Sequence, residues 1–257
     1  MKILIIGDIV GNSGVKKVKD IIPEFKKKNN IYYVIANGEN SADGMGITLK
    51  IFEDLKKSNV DIVTMGNHTW GKKEIFGFID DEKIVRPANY PAGVPGKGYR
   101  IHVVNGKKIA VINLIGRVDV GILSENPFLK ADKILEEIHG KADIVIVDFH
   151  AEATAEKIAM GYYLDGRVTC VFGTHTHVQT ADETILEKGT AYITDVGMTG
   201  PKKSVIGMDP SASIKRFVTT LPERYKVSDD KNVELTGCIL ELDDENCQMK
   251  KISRIKL

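Results

Sequence analysis

Val168-Thr169-Cys170-Val171-Phe172-Gly173-Thr174-His175-Thr176-His177 is the stretch that decides how the chain folds and what it can hold. Its first half is an apolar, β-branched run of strand length. Its second half sets two of the chain's six histidines one residue apart. Where the strand gives way to a loop, both imidazoles can converge on a pair of metal ions, one on each. Alone, the pattern also has a plain structural explanation. The way the other strands end is what favours the metal.

Working outward, short apolar runs alternate with amphipathic stretches. Residues 3–6 predict a strand, followed by a loop over 7–14. From Val15 to about Lys28 the spacing turns helical, with Val18, Ile21, Ile22 and Phe25 on one face and lysines covering the other. Residues 32–36 predict a strand, 48–57 a helix and 61–65 a third strand. Strands over 99–104 and 108–113 are joined by Asn105-Gly106, a dipeptide whose tolerance of positive φ suits a tight hairpin. Helices over 131–138 and 155–164 alternate with strands over 143–149, 168–172 and 191–194. The tail, 233–242 and 248–255, reads as two antiparallel strands. Two βα halves linked by hairpins predict an α/β fold of two packed sheets with helices outside. No linker, repeat or low-complexity segment interrupts it, so residues 1–257 are expected to form a single domain.

Composition narrows the function. The 257 residues are 42% hydrophobic, enough for a sizeable core, and carry 36 Lys and Arg against 35 Asp and Glu. That balance gives no bulk drive toward nucleic acid or a membrane surface. No apolar run approaches the roughly 18 residues of a membrane-spanning helix. The opening Met1-Lys2-Ile3-Leu4-Ile5-Ile6-Gly7-Asp8 turns acidic too soon for a signal peptide. Cys170, Cys238 and Cys247 are odd in number and lack CxxC spacing, which argues against disulfides and thiolate metal sites. A cytoplasmic location is the expectation.

Five strands end in side chains able to bind a hard or borderline cation: Asp8, Glu39 with Asn40, Asn67 with His68, His150, and His175 with His177. In open α/β sheets, ligands bind beyond the carboxyl ends of the strands. Singly, each has an ordinary role as turn residue, helix cap or core histidine. Together they supply two carboxylates, two carboxamides and four imidazoles, all where a strand stops. Those donors suit Mn²⁺, Fe or Zn²⁺, and they outnumber what one ion takes. Two ions sharing Glu39 as a bridge use them better. Two divalent ions, two carboxylates and a bridging hydroxide leave about one positive charge, suited to a phosphoryl anion. Coordination also lowers the pKa of water from about 15.7 to roughly 7, so a metal-held hydroxide can attack phosphorus at neutral pH. His68 is left over. Beside a ligand and able to titrate near neutrality, it is the candidate general acid for the leaving oxygen.

In this order, Gly7-Asp8, Asn37-Gly38-Glu39-Asn40, Gly66-Asn67-His68, His150 and Gly173-Thr174-His175-Thr176-His177 resemble the calcineurin-like metallophosphoesterase superfamily over nearly the whole chain. Gly7-Asp8-Ile9-Val10-Gly11 and Gly66-Asn67-His68-Thr69-Trp70 look like its bacterial cyclic-nucleotide phosphodiesterase branch. The resemblance implies a four-layer α/β/β/α sandwich of two mixed sheets flanked by helices, with a dinuclear, often iron-containing centre. It implies that Asp8, Asn40 and His177 hold the first ion, Asn67, His150 and His175 the second, and that Glu39 bridges them. His68 corresponds to the family's proton donor. The implied substrates are small cyclic nucleotides, 2′,3′-cyclic first and 3′,5′-cyclic second.

Two departures from the broad superfamily bear on the metal. Val10 stands where many members have a histidine, and Glu39 stands for the usual bridging aspartate, with Asn40 able to supply an amide oxygen instead. Exchanging a nitrogen ligand for oxygen favours iron, then manganese, over zinc.

Other readings fit less well. Gly66-x-x-x-x-Gly71-Lys72-Lys73 follows a strand like a P-loop, but Lys73 cannot supply the hydroxyl that Mg²⁺ needs. An amidohydrolase barrel carries its His-x-His on the first strand, whereas here it comes late. A phosphomonoesterase or nuclease could use the same site. A non-catalytic regulatory protein that binds metal and phosphate would not need His68. Arg117 and Asp195-Val196-Gly197-Met198-Thr199-Gly200 are candidates for the substrate side, while His102, His139 and Cys170 read as structural. The chain is compatible with a homo-oligomer.

Overall fold

Side chains of residues 3–6 alternate between two apolar environments, and the same alternation recurs in the central strands of the computed structural model, which describes residues 1–257. In chain order the elements of the first half are β1 (Lys2–Ile6), β2 (Asp8–Ile9), α1 (Gly11–Lys28), β3 (Tyr33–Asn37), α2 (Leu49–Lys57), β4 (Ile62–Thr64) and β5 (Ile84–Val85). The middle contributes β6 (Tyr99–Val104), β7 (Lys107–Ile115), α3 (Pro127–Glu137), β8 (Ile144–His150), α4 (Thr154–Leu164) and β9 (Cys170–Thr174). The last part adds β10 (Thr184–Ile185), β11 (Ala191–Ile193), β12 (Met198–Pro201), α5 (Pro210–Thr219), β13 (Val233–Leu242) and β14 (Met249–Lys256).

The strands form two mixed sheets. One runs β2-β12-β13-β1-β3-β4-β5, with β14 also on β13; the other runs β10-β11-β9-β8-β7-β6. Ile3, Ile5, Ile35 and Ile62 of the first sheet pack against Ile109, Val111, Ile146 and Phe172 of the second. The alternate residues Leu4, Ile6, Val34 and Val63 meet Val18 and Ile22 of α1 and Phe52 and Leu55 of α2. On the far side, Ile112, Val147, Phe149 and Val171 meet Ile134 of α3 and Met160 and Leu164 of α4. The order is therefore helices, sheet, sheet, helices, as the resemblance implied. Strands buried on both faces read as continuous apolar runs because neither face meets water.

Local chemistry accounts for the elements whose ends differ from expectation. Helix α1 begins at Gly11, which takes φ of 62° and donates its N–H to the Asn40 carbonyl, so the expected loop over 7–14 is shorter. Helix α3 starts at Pro127, ahead of the expected 131. The Asn126 side chain accepts the N–H groups of Phe128 and Leu129, and a proline suits the first helical position. The same grammar, Asp209 then Pro210, opens α5, which the apolar spacing alone does not reveal. The hairpin turn is as expected: Val104 pairs with Lys107, and Asn105 and Gly106 have φ of 51° and 74°. No helix is long and apolar enough to cross a membrane.

Parallel pairing of β1, β3, β4 and of β7, β8, β9 sends the ends of these strands to one edge of the molecule. The approach there is close. A Cβ on Gly173 would lie 1.8 Å from the Thr194 carbonyl oxygen. Gly173→Ala is therefore expected to cost about 1–3 kcal/mol by overpacking. At roughly 2–4 °C per kcal/mol for a chain of this size, the melting temperature should fall measurably by scanning calorimetry. An unchanged melting temperature would contradict the packing.

Candidate metal centre

Every candidate from the sequence arrives at this edge. The first sheet delivers Asp8, Glu39, Asn40 and Asn67; the second delivers His150, and the loop after it His175 and His177. Asp8, Glu39, Asn40 and His150 are buried. Glu39 sits at the middle: its Oε1 is 3.0 Å from His150 Nε2, and its Oε2 accepts the His68 backbone N–H at 2.8 Å.

Around His150 Nε2, Asn67 Oδ1 lies at 2.8 Å and His175 Nδ1 at 3.0 Å. Glu39, His150 and His175 bring their donor atoms within 4.8 Å of one another, and together they can hold a metal ion. On the other side of Glu39, His177 Nε2 lies 3.1 Å from the Asn40 amide nitrogen and 3.6 Å from Asp8 Oδ1. Asp8 Oδ1 is buried without a hydrogen-bond partner. Asn40 lies beside His177 but turns its amide oxygen away from it. Its nitrogen faces His177, while its oxygen pairs with His68 Nδ1 at 2.8 Å.

The outward-facing ring atoms are also engaged. His177 Nδ1 donates to the Ile206 carbonyl at 2.8 Å, and His175 Nε2 lies 3.0 Å from Glu152. His150 Nδ1 is 2.9 Å from the Thr174 hydroxyl. With protons on those atoms, the inward-facing atoms Nε2 of His150, Nδ1 of His175, Oδ1 of Asn67 and Oε1 of Glu39 all present lone pairs. Four acceptors in contact repel one another, and a shared cation satisfies them all. The orphaned Asp8 oxygen makes the same demand on the opposite side of Glu39. The residues present therefore fit metal binding.

Backbone geometry serves this convergence. A Cβ on Gly66 would lie 2.3 Å from His150 Nε2 and 2.5 Å from Glu39 Oε2, so the loop approaches the site as bare backbone. His175 and His177 take φ of 100° and 64°, where a side chain is strained. Thr176 between them is held from beneath. Its N–H and hydroxyl both donate to Asp195, at 3.2 and 2.6 Å, and Asp195 pairs with Lys157 at 2.7 Å. Asp195 is fully buried, so it supports the histidine loop and does not line the substrate side. Arg117 is exposed, and its backbone N–H donates to Glu156. His102 is structural, bonded through Nδ1 to the Tyr33 hydroxyl at 2.6 Å, and Cys170 lies between the sheets.

Sequence reasoning missed Glu152, Lys157, Asp148 and Thr174, all of which brace the histidines. The signal was proximity. Glu152 follows His150 in the turn into α4 and Lys157 lies in the first turn of that helix, Asp148 precedes His150 by two on the same strand face, and Thr174 directly precedes His175.

A model of the family described as YmdB-like protein matches residues 4–255. The chain belongs to the YmdB-like family. Among its relatives, a Bacillus subtilis (strain 168) protein named 2′,3′-cyclic-nucleotide 2′-phosphodiesterase is 53% identical over 256 residues, covering 99% of this chain and 96% of that one. The crystal structure of a Mycoplasma pneumoniae protein described as a novel phosphatase superposes with a TM-score of 0.94 at 38% identity, covering 100% of this chain and 93% of that one. A Staphylococcus aureus structure assigned provisionally as a 5′-nucleotidase shares the fold alone, with a TM-score of 0.63 at 14% identity over 99% of this chain and 54% of its own. The YmdB-like chain thus has the calcineurin-like metallophosphoesterase fold.

Charge in the site follows from these contacts. Burial works against the Asp8 carboxylate, but His177 and His150 hold its pKa well below the usual range. Burial likewise opposes a charge on His150, yet Glu39, with Asp8 and Asp148 behind it, pushes its pKa up to about 9. Burial, then neighbouring His150, holds His175 at about 3. In chelated protein the His150 proton thus supplies the positive charge the carboxylates require. Because its folded value exceeds 6.5, that stabilisation is complete below about pH 6.5 and is lost as pH rises through about 9. Chelated protein should melt at a lower temperature at pH 9 than at pH 6.5, and a divalent cation should remove most of the difference. An equal loss with and without the cation would contradict this.

Proposed function

We propose that this chain is a dinuclear metal-dependent phosphodiesterase, acting as one domain over residues 1–257, that hydrolyses 2′,3′-cyclic nucleotides. The observation that carries the proposal is the convergence of lone-pair donors on both sides of Glu39, with His68 at its edge. The name of the Bacillus subtilis relative supports the substrate class. Activity on 3′,5′-cyclic nucleotides belongs to the same proposal as a secondary reaction.

Asp8, Asn40 and His177 would hold one ion and Asn67, His150 and His175 the other, with Glu39 available to both. Two divalent ions there, iron first and manganese next, would supply Lewis-acid charge to the phosphoryl oxygens and activate a water at neutral pH. Binding through oxygen requires a half-turn of the Asn40 carboxamide, whose oxygen and nitrogen exchange places with little change in shape. Its nitrogen then donates to His68 Nδ1. That hydrogen bond keeps the His68 proton on Nε2, where a departing ribose oxygen can take it.

His68 suits the role. Its ring is 32% exposed, whereas Glu39 beside it is buried, so substrate can reach it. The Glu39 carboxylate accepts its backbone N–H and fixes where the ring projects. A group that merely held metal or a regulatory anion would need no such proton source.

Two experiments test this. His68→Ala should lower kcat on 2′,3′-cyclic AMP by about 10²–10⁴-fold while metal content by elemental analysis stays at the parental value. Parental turnover would remove His68 from the mechanism. Assays of metal-loaded protein on 2′,3′- and 3′,5′-cyclic nucleotides, p-nitrophenyl phosphate and RNA should rank the 2′,3′-cyclic substrate first. Faster release from the monoester or from RNA would replace the proposal with a phosphatase or nuclease.

A further inference from the structure

Beneath the donor cluster lies a hydrogen-bonded chain that the reaction above does not use. His150 Nδ1 meets the Thr174 hydroxyl at 2.9 Å, and that hydroxyl donates to Asp148 Oδ1 at 2.7 Å. All three residues are fully buried. Asp148 and His150 lie two apart on β8, and Thr174 pairs with His150 across β8 and β9, so the three share one sheet face. The other Asp148 oxygen, Oδ2, is buried without a hydrogen-bond partner.

A hydroxyl has one hydrogen, so the chain has a direction. With the Thr174 hydrogen on Asp148, the oxygen can only accept from His150, and the imidazole proton is held on Nδ1. In the neutral ring Nε2 is then the bare nitrogen, and it faces Glu39, Asn67 and His175. The reverse direction would make Asp148 the donor and Thr174 a donor to Nδ1, moving the imidazole proton to Nε2 and closing the face toward the metal. The Asn37 amide nitrogen also approaches Nδ1, but at 3.5 Å, a much weaker contact than the hydroxyl. The arrangement in which Thr174 donates to Asp148 is the one that leaves Nε2 open toward Glu39, Asn67 and His175.

We propose that Asp148, acting through Thr174, is the positioning residue that sets the His150 tautomer and thereby the affinity of the second ion. The proposal rests on His150 being a ligand and goes beyond it, because it names residues that touch no ion. A carboxylate feeding electron density through a hydroxyl makes the imidazole a better donor. Loss of such an outer partner generally weakens metal binding about 10–100-fold.

The test uses the full chain, with Zn²⁺ alone as the probe, titrated against a chromophoric chelator. Thr174→Val removes the hydroxyl at nearly constant shape, Thr174→Ser restores it, and Asp148→Asn keeps an acceptor while removing the charge. Thr174→Val should weaken the affected ion about 10–100-fold and leave the other unchanged. Asp148→Asn should weaken the same ion, and Thr174→Ser should return it to near the parental value. In ¹⁵N-histidine spectra of the Zn²⁺-loaded protein, the Nδ1–H signal of His150 should be present in the parent and in Thr174→Ser and altered in Thr174→Val. Circular dichroism confirms that each variant is folded, and the Asp148→Asn arm carries the test if Thr174→Val is not. Parental affinity in a folded Thr174→Val or in Asp148→Asn overturns the relay alone. A parent that binds no Zn²⁺ overturns the assignment of His150 as a ligand as well.

Discussion

Lone pairs that must share a positive charge form the constraint around which the molecule is arranged. Glu39 and His150 are buried with Asn67 and His175 against them, and Asp8 is buried with one oxygen lacking a hydrogen-bond partner. Uncompensated burial of such groups costs several kcal/mol each. In chelated protein, protons on His150 and His177 can meet part of the demand. A pair of divalent cations would meet all of it. The same cations would turn a costly polar pocket into one that attracts a phosphoryl anion.

The two sheets divide the work. Carboxylates and carboxamides come from the first sheet and its turns, imidazoles from the second, with His68 the exception. The distance between the halves is thus set by the apolar layer of Ile3, Ile5, Ile109, Ile146 and Phe172 and their neighbours. The His-x-His turn is strained at both histidines, and the buried Lys157–Asp195 pair clamps the threonine between them. Removing one partner of such a pair generally leaves an uncompensated buried charge. That makes the pair a brace for the loop more than a source of net stability. Much of the support comes from one short segment. His150 points into the cluster, Glu152 contacts His175, Glu156 holds the backbone of Arg117, and Lys157 anchors Asp195.

Most of the architecture was legible because buried parallel strands are continuous apolar runs, and such runs alternate with helices whose periodicity is clear, as at Val18, Ile22 and Phe25. The apolar run at 233–242 coincides with β13 at both ends. Elements set by capping were harder. Asn126-Pro127 and Asp209-Pro210 open α3 and α5 through side-chain acceptors and a proline, which leave no trace in apolar spacing. The candidate donors were legible because each ends a strand. Their bracing was not: Lys157 and Asp195 are 38 residues apart, and only the fold joins them. The Asn40 carboxamide could not be oriented from sequence, since its oxygen and nitrogen answer to whichever neighbours surround them.

The central claim is that donors on both sides of Glu39 hold two ions. It is tested most directly by the metal-to-protein ratio of anaerobically purified chain, read by elemental analysis before and after adding Fe²⁺ or Mn²⁺. The account predicts about two ions per chain, as a two-metal phosphoesterase site requires. A ratio that stays below about one after both additions would contradict it.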